Sequence, residues 1–343
     1  MRRVAGLDSI RFFCALTVIF FHGMSPPVFP FLSRDTPAGR IILGLYDAAF
    51  NGQAAVLTFF IISGFCIHFP YASGRPFATI PFLLARAVRI LVPTCAYLFL
   101  LRLFPFSDPG LKMLLWSIWC ELIYYALYPV LRLLFARTSV FAVLLFSYAV
   151  AAGLIVWTLA TRAWPGLFSA TSNLTWLAGL PCWILGCHLA EHFSACAATP
   201  RTTAATVWGY RAGAVGLGSA SFLAMLHLHV SFLISLHLFT VFAWFWIRAE
   251  LRWYSDKPAN RLLEGFGSLT FSIYLMHMLA ICTWRSIAPV GGFFMWAVEM
   301  GFILLLSVFF YFSVEFPSHK LAQMLSLRPG KYVVPILPET SIL

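Results

Sequence analysis

Apolar runs long enough to cross a bilayer recur from one end of this 343-residue chain to the other, and they restrict the fold more than any other feature. Inside hydrocarbon every backbone N–H and C=O must find its partner within the chain, so a run of about 20 apolar residues can only be a helix or a barrel strand, and this length suits a helix. Such runs fall near residues 7–23, 41–68, 90–106, 112–131, 139–160, 171–191, 205–226, 228–247, 266–284 and 291–313. The expected fold is all-α, a polytopic transmembrane bundle of about ten helices. The expected domain organisation is one integral membrane domain over residues 1–343, with no fused soluble domain. Between residues 212 and 247 the only obvious turn signal is His227-Leu228-His229.

Charge supports this reading. Only 10% of residues are Asp, Glu, Lys or Arg, well under the roughly 25% of soluble domains. Short cytoplasmic loops retain Lys and Arg. With the N-terminus inside, one side collects Arg2, Arg3, Arg75, Arg86, Arg89, Arg132, Arg137, Arg201, Arg248, Arg252, Lys257, Arg261, Lys320, Arg328 and Lys331. The other side receives Arg34, Arg40, Arg102, Lys112, Arg162 and Arg285. Both termini are therefore expected in the cytoplasm, and the net charge of +11 is a topology signal rather than a nucleic-acid footprint. The run 7–23 is expected to be retained, because charges interrupt it early and Ser25-Pro26-Pro27 replaces a small-residue cleavage site. The eight cysteines lie mostly in apolar stretches without paired metal-ligand spacing, which argues against a disulfide framework and against a zinc site.

Ionisable groups within such runs are costly unless they face partners or water, so each one is a candidate for function. The first run carries Asp8, Arg11 and His22. Arg11 and His22 are eleven residues apart, which returns them to one helix face roughly 16 Å apart along the axis. Asp8 and Arg11 stand at i and i+3, the spacing of an ion pair, so Arg11 reads either as structural or as functional. His22 has no opposite charge within a turn; it is a helix-end imidazole at the interface or a group that exchanges protons with a hydroxyl.

Further along, Ser63-Gly64 interrupts the bulky run Phe59 to Phe65 and fits close helix packing or a ligand contact. Arg86 and Arg89, at i and i+3, form either a phosphate clamp or the ordinary basic flank of a span. Glu121 follows Trp116-Ser117 inside an apolar helix, where it can orient a histidine or pair with an arginine. Tyr274 and His277 are at i and i+3, placed to meet a polar substrate or to bond to neighbouring helices, and Glu299 is best explained by structural pairing.

Together these segments resemble the acyltransferase 3 family of integral membrane acyltransferases over nearly the whole chain. The matching pieces are Leu7-Asp8-Ser9-Ile10-Arg11 with His22, the run Phe59 to Phe65, the pair Arg86 and Arg89, Trp116-Ser117 with Glu121, and Ser272 to His277. They occur in the family's order. The family's closing glutamate, basic residue, proline pattern stands here as Glu315-Phe316-Pro317, without the basic residue.

The resemblance implies transfer of an acyl group, usually acetyl, from cytoplasmic acyl-CoA to a hydroxyl of a glycan, a glycolipid or a lipid-linked glycan at the bacterial inner membrane, with no metal. It implies His22 as general base or transient nucleophile, and Arg11 as the group that positions the thioester. Arg86 and Arg89 would hold the CoA phosphates, and Glu121 would orient a catalytic group. Tyr274, His277, Ser63 and Asp8 would line the substrate path. The rival class is a proton-coupled transporter or flippase using Asp8, Arg11, His22, Glu121 and Glu299, for which no internal repeat is evident. A non-catalytic scaffold would leave the buried charges unexplained.

Overall fold

A computed structural model of the chain describes residues 4–29, 31–104, 108, 110–161, 174–195, 202–255, 257–288 and 291–326. Arg2, Arg3, Arg162, Arg201, Arg328 and Lys331 of the charge pattern lie outside the described residues, as does Cys196. Among the described residues every regular element is helical.

Helix α1 (Leu7–Ile19) runs into a π turn at Phe20–Met24, and α2 (Pro37–Ala48) and α3 (Gly52–Ala72) follow. Next come α4 (Thr79–Leu103), the single turn α5 (Gly110–Met113), α6 (Leu115–Arg137) and α7 (Val140–Ala160). Then follow α8 (Thr175–Ala195), α9 (Ala204–Leu228), α10 (Phe232–Trp253), α11 (Arg261–Gly267), α12 (Thr270–Ile287) and α13 (Gly292–Phe310). A second π turn, Tyr311–Glu315, leads into α14 (Phe316–Ser326).

Local chemistry explains several boundaries. Asn51 accepts from the Ala54 amide at 3.1 Å and starts α3, so the run expected at 41–68 is two helices. Its side-chain amide also donates to the Gly218 carbonyl at 2.9 Å, which ties this break to α9. Thr36 caps α2 ahead of Pro37, a residue suited to the first turn because its missing N–H is not needed there. Helix α9 stops at Leu228, and His229 takes a left-handed φ of 52°. Helix α4 begins at Thr79 rather than near residue 90, so Arg86 and Arg89 sit inside the helix and not before it.

By length and apolarity, seven helical runs among the described residues can cross a membrane, and the α11–α12 pair, bent by 65°, makes an eighth. The difference from the expected ten falls on α8 and α9, which have 21 and 25 residues but are less apolar. Helix α8 carries His188, Glu191 and His192 near its end, and α9 carries Arg211 and a run of glycines.

Helices α3, α8 and α12 carry the longest buried stretches. From Ser272 to Ile281, α12 is buried without interruption. A side chain at Gly64 would collide with the Trp183 carbonyl and one at Gly186 with the Ile61 carbonyl, so α3 and α8 touch backbone to backbone. Small residues permit this approach, the way helices associate where no hydrophobic force separates chain from solvent. The outer surface presents Phe99, Phe141, Phe146, Leu305 and Phe309, a lipid-facing belt that water would not tolerate.

Candidate active site

Two groups of polar side chains lie along α1. At its far end the helix breaks. Gly23 has φ 87°, a conformation that glycine adopts without strain, and His22 has left helical geometry with ψ 27°. The expected helix to residue 23 is therefore α-helical only to Ile19, and the π turn sets the direction of the imidazole. His22 Nδ1 lies 2.8 Å from the Val18 carbonyl. A carbonyl only accepts, so Nδ1 carries the proton and the neutral ring keeps its lone pair on Nε2.

Beside it stands His277 of α12, with ring centroids 5.1 Å apart. Its Nδ1 donates to the Tyr274 carbonyl at 2.7 Å by the same logic, and its buried Nε2 has no partner among the described residues. The Tyr274 hydroxyl donates to the Leu114 carbonyl at 3.0 Å and lies 2.7 Å from Ser117 Oγ. Asp108 is within electrostatic range of His22.

A clamp holds the π turn. Arg285 donates to the Gly23 carbonyl at 3.2 Å and is paired at 3.3 Å with Glu299, whose side chain is only 4% exposed. Trp296 Nε1 donates to the Met24 carbonyl at 2.8 Å. Carbonyls freed at the end of α1 are thus satisfied from α12 and α13.

The second group lies nearer the start of α1. Arg11 pairs with Asp8 at 3.1 Å and donates weakly to Cys66 Sγ at 3.6 Å. Glu121 accepts from Ser63 Oγ at 2.7 Å and from the Tyr125 hydroxyl, and Trp183 Nε1 donates to Ser63 at 3.3 Å. Both Arg11 and Arg86 are within electrostatic range of Tyr125, and the Arg86 guanidinium lies 5.7 Å from its ring centroid. Ser63, Arg11, Arg86 and Glu121 therefore converge on Tyr125, whereas His22, Tyr274 and His277 form the other group. Helix α6 joins the two, with Ser117 in one and Glu121 a turn later in the other.

Two glutamates that the sequence reading gave little or no role place the helices that carry these residues. Glu264 of α11 accepts from Ser9 N at 2.9 Å and Ser9 Oγ at 2.5 Å. Glu315 accepts from Ser272 N at 3.0 Å and Ser272 Oγ at 2.5 Å. Neither α1 nor α12 has a side-chain cap of its own, so a carboxylate from a distant segment serves each N-terminus, where the helix dipole favours negative charge. Arg89 is within electrostatic range of Glu315. The only signal for Glu264 in the sequence is a carboxylate within a short polar stretch; Glu315 belongs to the closing segment.

Among the described residues no group of three or more His, Cys, Asp or Glu is placed to hold a metal. Residues 4–315 match the family model described as an acyltransferase domain. That stretch includes every site residue named above, from Asp8 to Glu315. No curated protein and no solved structure matches the chain.

Proposed function

The chain belongs to this acyltransferase family, and on that premise we propose that it is a membrane-bound O-acyltransferase. In this reading it moves an acyl group, acetyl in the first instance, from cytoplasmic acyl-CoA to a hydroxyl of a glycan, a glycolipid or a lipid-linked glycan. Both termini face the cytoplasm of a bacterial inner membrane.

The observation that carries the reading is the His22 hydrogen bond to Val18, which leaves Nε2 as a lone pair at the end of α1. The acceptor hydroxyl gives its proton to that nitrogen as its oxygen attacks the thioester carbonyl. The tetrahedral intermediate then expels CoA thiolate, which takes the proton back from the imidazolium. In the covalent route Nε2 attacks the thioester carbonyl and expels CoA thiolate; the acceptor oxygen then attacks the acyl carbon, the imidazole leaves, and the hydroxyl proton passes to the thiolate.

Arg86 and Arg89 receive the donor phosphates, Arg11 positions the thioester arm, and Glu121 holds Ser63 and Tyr125 along the path. Tyr274 and His277 line the acceptor side, and Asp8 keeps Arg11 in place. The transporter alternative has less support, because Asp8 and Glu299 are each committed to a local arginine rather than linked in a relay.

The test is purified protein in vesicles, given labelled acetyl-CoA and candidate glycans. An acyltransferase moves label onto the acceptor and turns over, releasing CoA thiol beyond one equivalent per enzyme, only when acceptor is present. Label that crosses the vesicle with acetyl-CoA unconsumed overturns the proposal.

A further inference from the structure

Where α3 ends and α4 begins, Tyr71, Phe77 and Phe82 pack with Tyr128 from the middle of α6 into one aromatic cluster. Ring centroids are 5.0 Å apart for Tyr71 and Phe77, 5.3 Å for Phe77 and Phe82, and 5.3 Å for Phe82 and Tyr128. Two guanidinium groups lie over these rings. Arg132 is 4.8 Å from the Phe77 centroid and 5.4 Å from that of Tyr71, and Arg86 is 5.7 Å from that of Phe82. Both arginines are half-buried, and neither has an ion pair or hydrogen bond among the described residues.

That combination points to a ligand. An arginine over a ring spends one face on the cation–π contact and keeps the N–H groups around its edge available for an acceptor. Neither guanidinium has a nitrogen that is both buried and unbonded, so their N–H groups stay open to an anion arriving from solution. The positive-inside rule accounts for a basic residue near the end of α6 but not for one held over two rings with no acceptor. Two cations on one aromatic cluster fit a ligand with separate phosphate positions, which coenzyme A offers in its diphosphate and its 3′-phosphate and a simple phosphodiester headgroup does not.

We propose that Arg132, with Tyr71 and Phe77, binds the adenosine 3′-phosphate end of acyl-CoA, while Arg86 and Arg89 take its diphosphate. This assignment rests on the acyl-CoA reading above and adds a third cation that lies outside the paired-arginine segment.

The test is the affinity of the full-length purified protein for CoA and for 3′-dephospho-CoA, in the wild type, Arg132→Gln and Arg132→Lys. Charge-assisted bonds to one phosphate correspond to about tenfold in Kd. The wild type is expected to bind 3′-dephospho-CoA about tenfold more weakly than CoA, Arg132→Gln to bind the two equally, and Arg132→Lys to keep part of the difference. If the wild type does not distinguish the two, or Arg132→Gln distinguishes them as the wild type does, this proposal falls and the acyl-CoA reading stands. If the wild type binds neither, both fall. Loss of binding to phosphatidylglycerol vesicles in Arg132→Gln, with CoA affinity unchanged, assigns the site to lipid and overturns the proposal.

Discussion

His22 and His277 stand side by side with ring centroids 5.1 Å apart, and each has its Nδ1 bonded to a backbone carbonyl of its own helix. His277 is fully buried and His22 is half-buried, so His22 is the more open of the two rings, with His277 lining the site behind it. His277→Phe preserves the ring shape and removes the unpartnered Nε2 beside the proposed base. It is expected to lower kcat about a hundredfold, at the lower end of acid–base contributions, with CoA affinity unchanged. Steady-state acetyl transfer checks this, and a kcat within twofold of wild type contradicts a role for His277.

Arg285 acts on the same site through the Gly23 carbonyl. Removing it by Arg285→Gln, or removing the charge of its partner by Glu299→Gln, frees the π turn that aims His22. The expected result is about a tenfold fall in kcat, equivalent to 1.4 kcal/mol, with the KM for acetyl-CoA unchanged. Arg285→Lys is expected to recover part of the rate. A rise in KM with kcat intact would place Arg285 in donor binding instead.

Glu315 holds the start of α12 through Ser272. Glu315→Ala leaves a buried N–H and hydroxyl without an acceptor, at a cost of about 1–3 kcal/mol. Thermal unfolding in detergent is expected to show a lower Tm for Glu315→Ala and a smaller loss for Glu315→Gln, which keeps an acceptor oxygen. An unchanged Tm in Glu315→Ala would show that the cap contributes nothing.

Gly64 and Gly186 set the contact of α3 with α8. An added methyl at either position meets backbone rather than a movable side chain, so Gly64→Ala is expected to cost about 1–3 kcal/mol, the usual penalty of overpacking. Melting in detergent checks it. A stable Gly64→Ala protein would mean that the two helices separate without loss.

What the sequence made legible was local. The i, i+3 spacing of Asp8 and Arg11 became an ion pair, because helix geometry alone brings such residues together, and Tyr274 bonds to Ser117 of a neighbouring helix, one of the alternatives its position left open, while His277 turns back to its own backbone. The Ser63-Gly64 pair proved to be a packing contact and, through Ser63, a bond to Glu121 as well. The partners that position the site were not legible. Glu264 meets Ser9 across 255 residues, Arg285 meets Gly23 across 262, and no periodicity encodes such contacts. The break at Asn51 did carry a signal, the Asn51-Gly52 pair with Asp47 and Gln53 beside it, but the longer apolar stretches beyond them let hydropathy run on where the helix does not. Helix α8 shows the reverse case, since a helix buried among others needs less apolarity than one facing lipid.

The central claim is that His22 performs the proton or acyl transfer for a CoA thioester, and the most direct measurement is acceptor-dependent release of CoA thiol by the wild type and by His22→Ala. The account predicts that release by the wild type beyond one equivalent per enzyme requires acceptor. It further predicts that release by His22→Ala falls about 10²–10⁴-fold while the variant still binds CoA with wild-type affinity. A His22→Ala protein that transfers acetyl at the wild-type rate would contradict it.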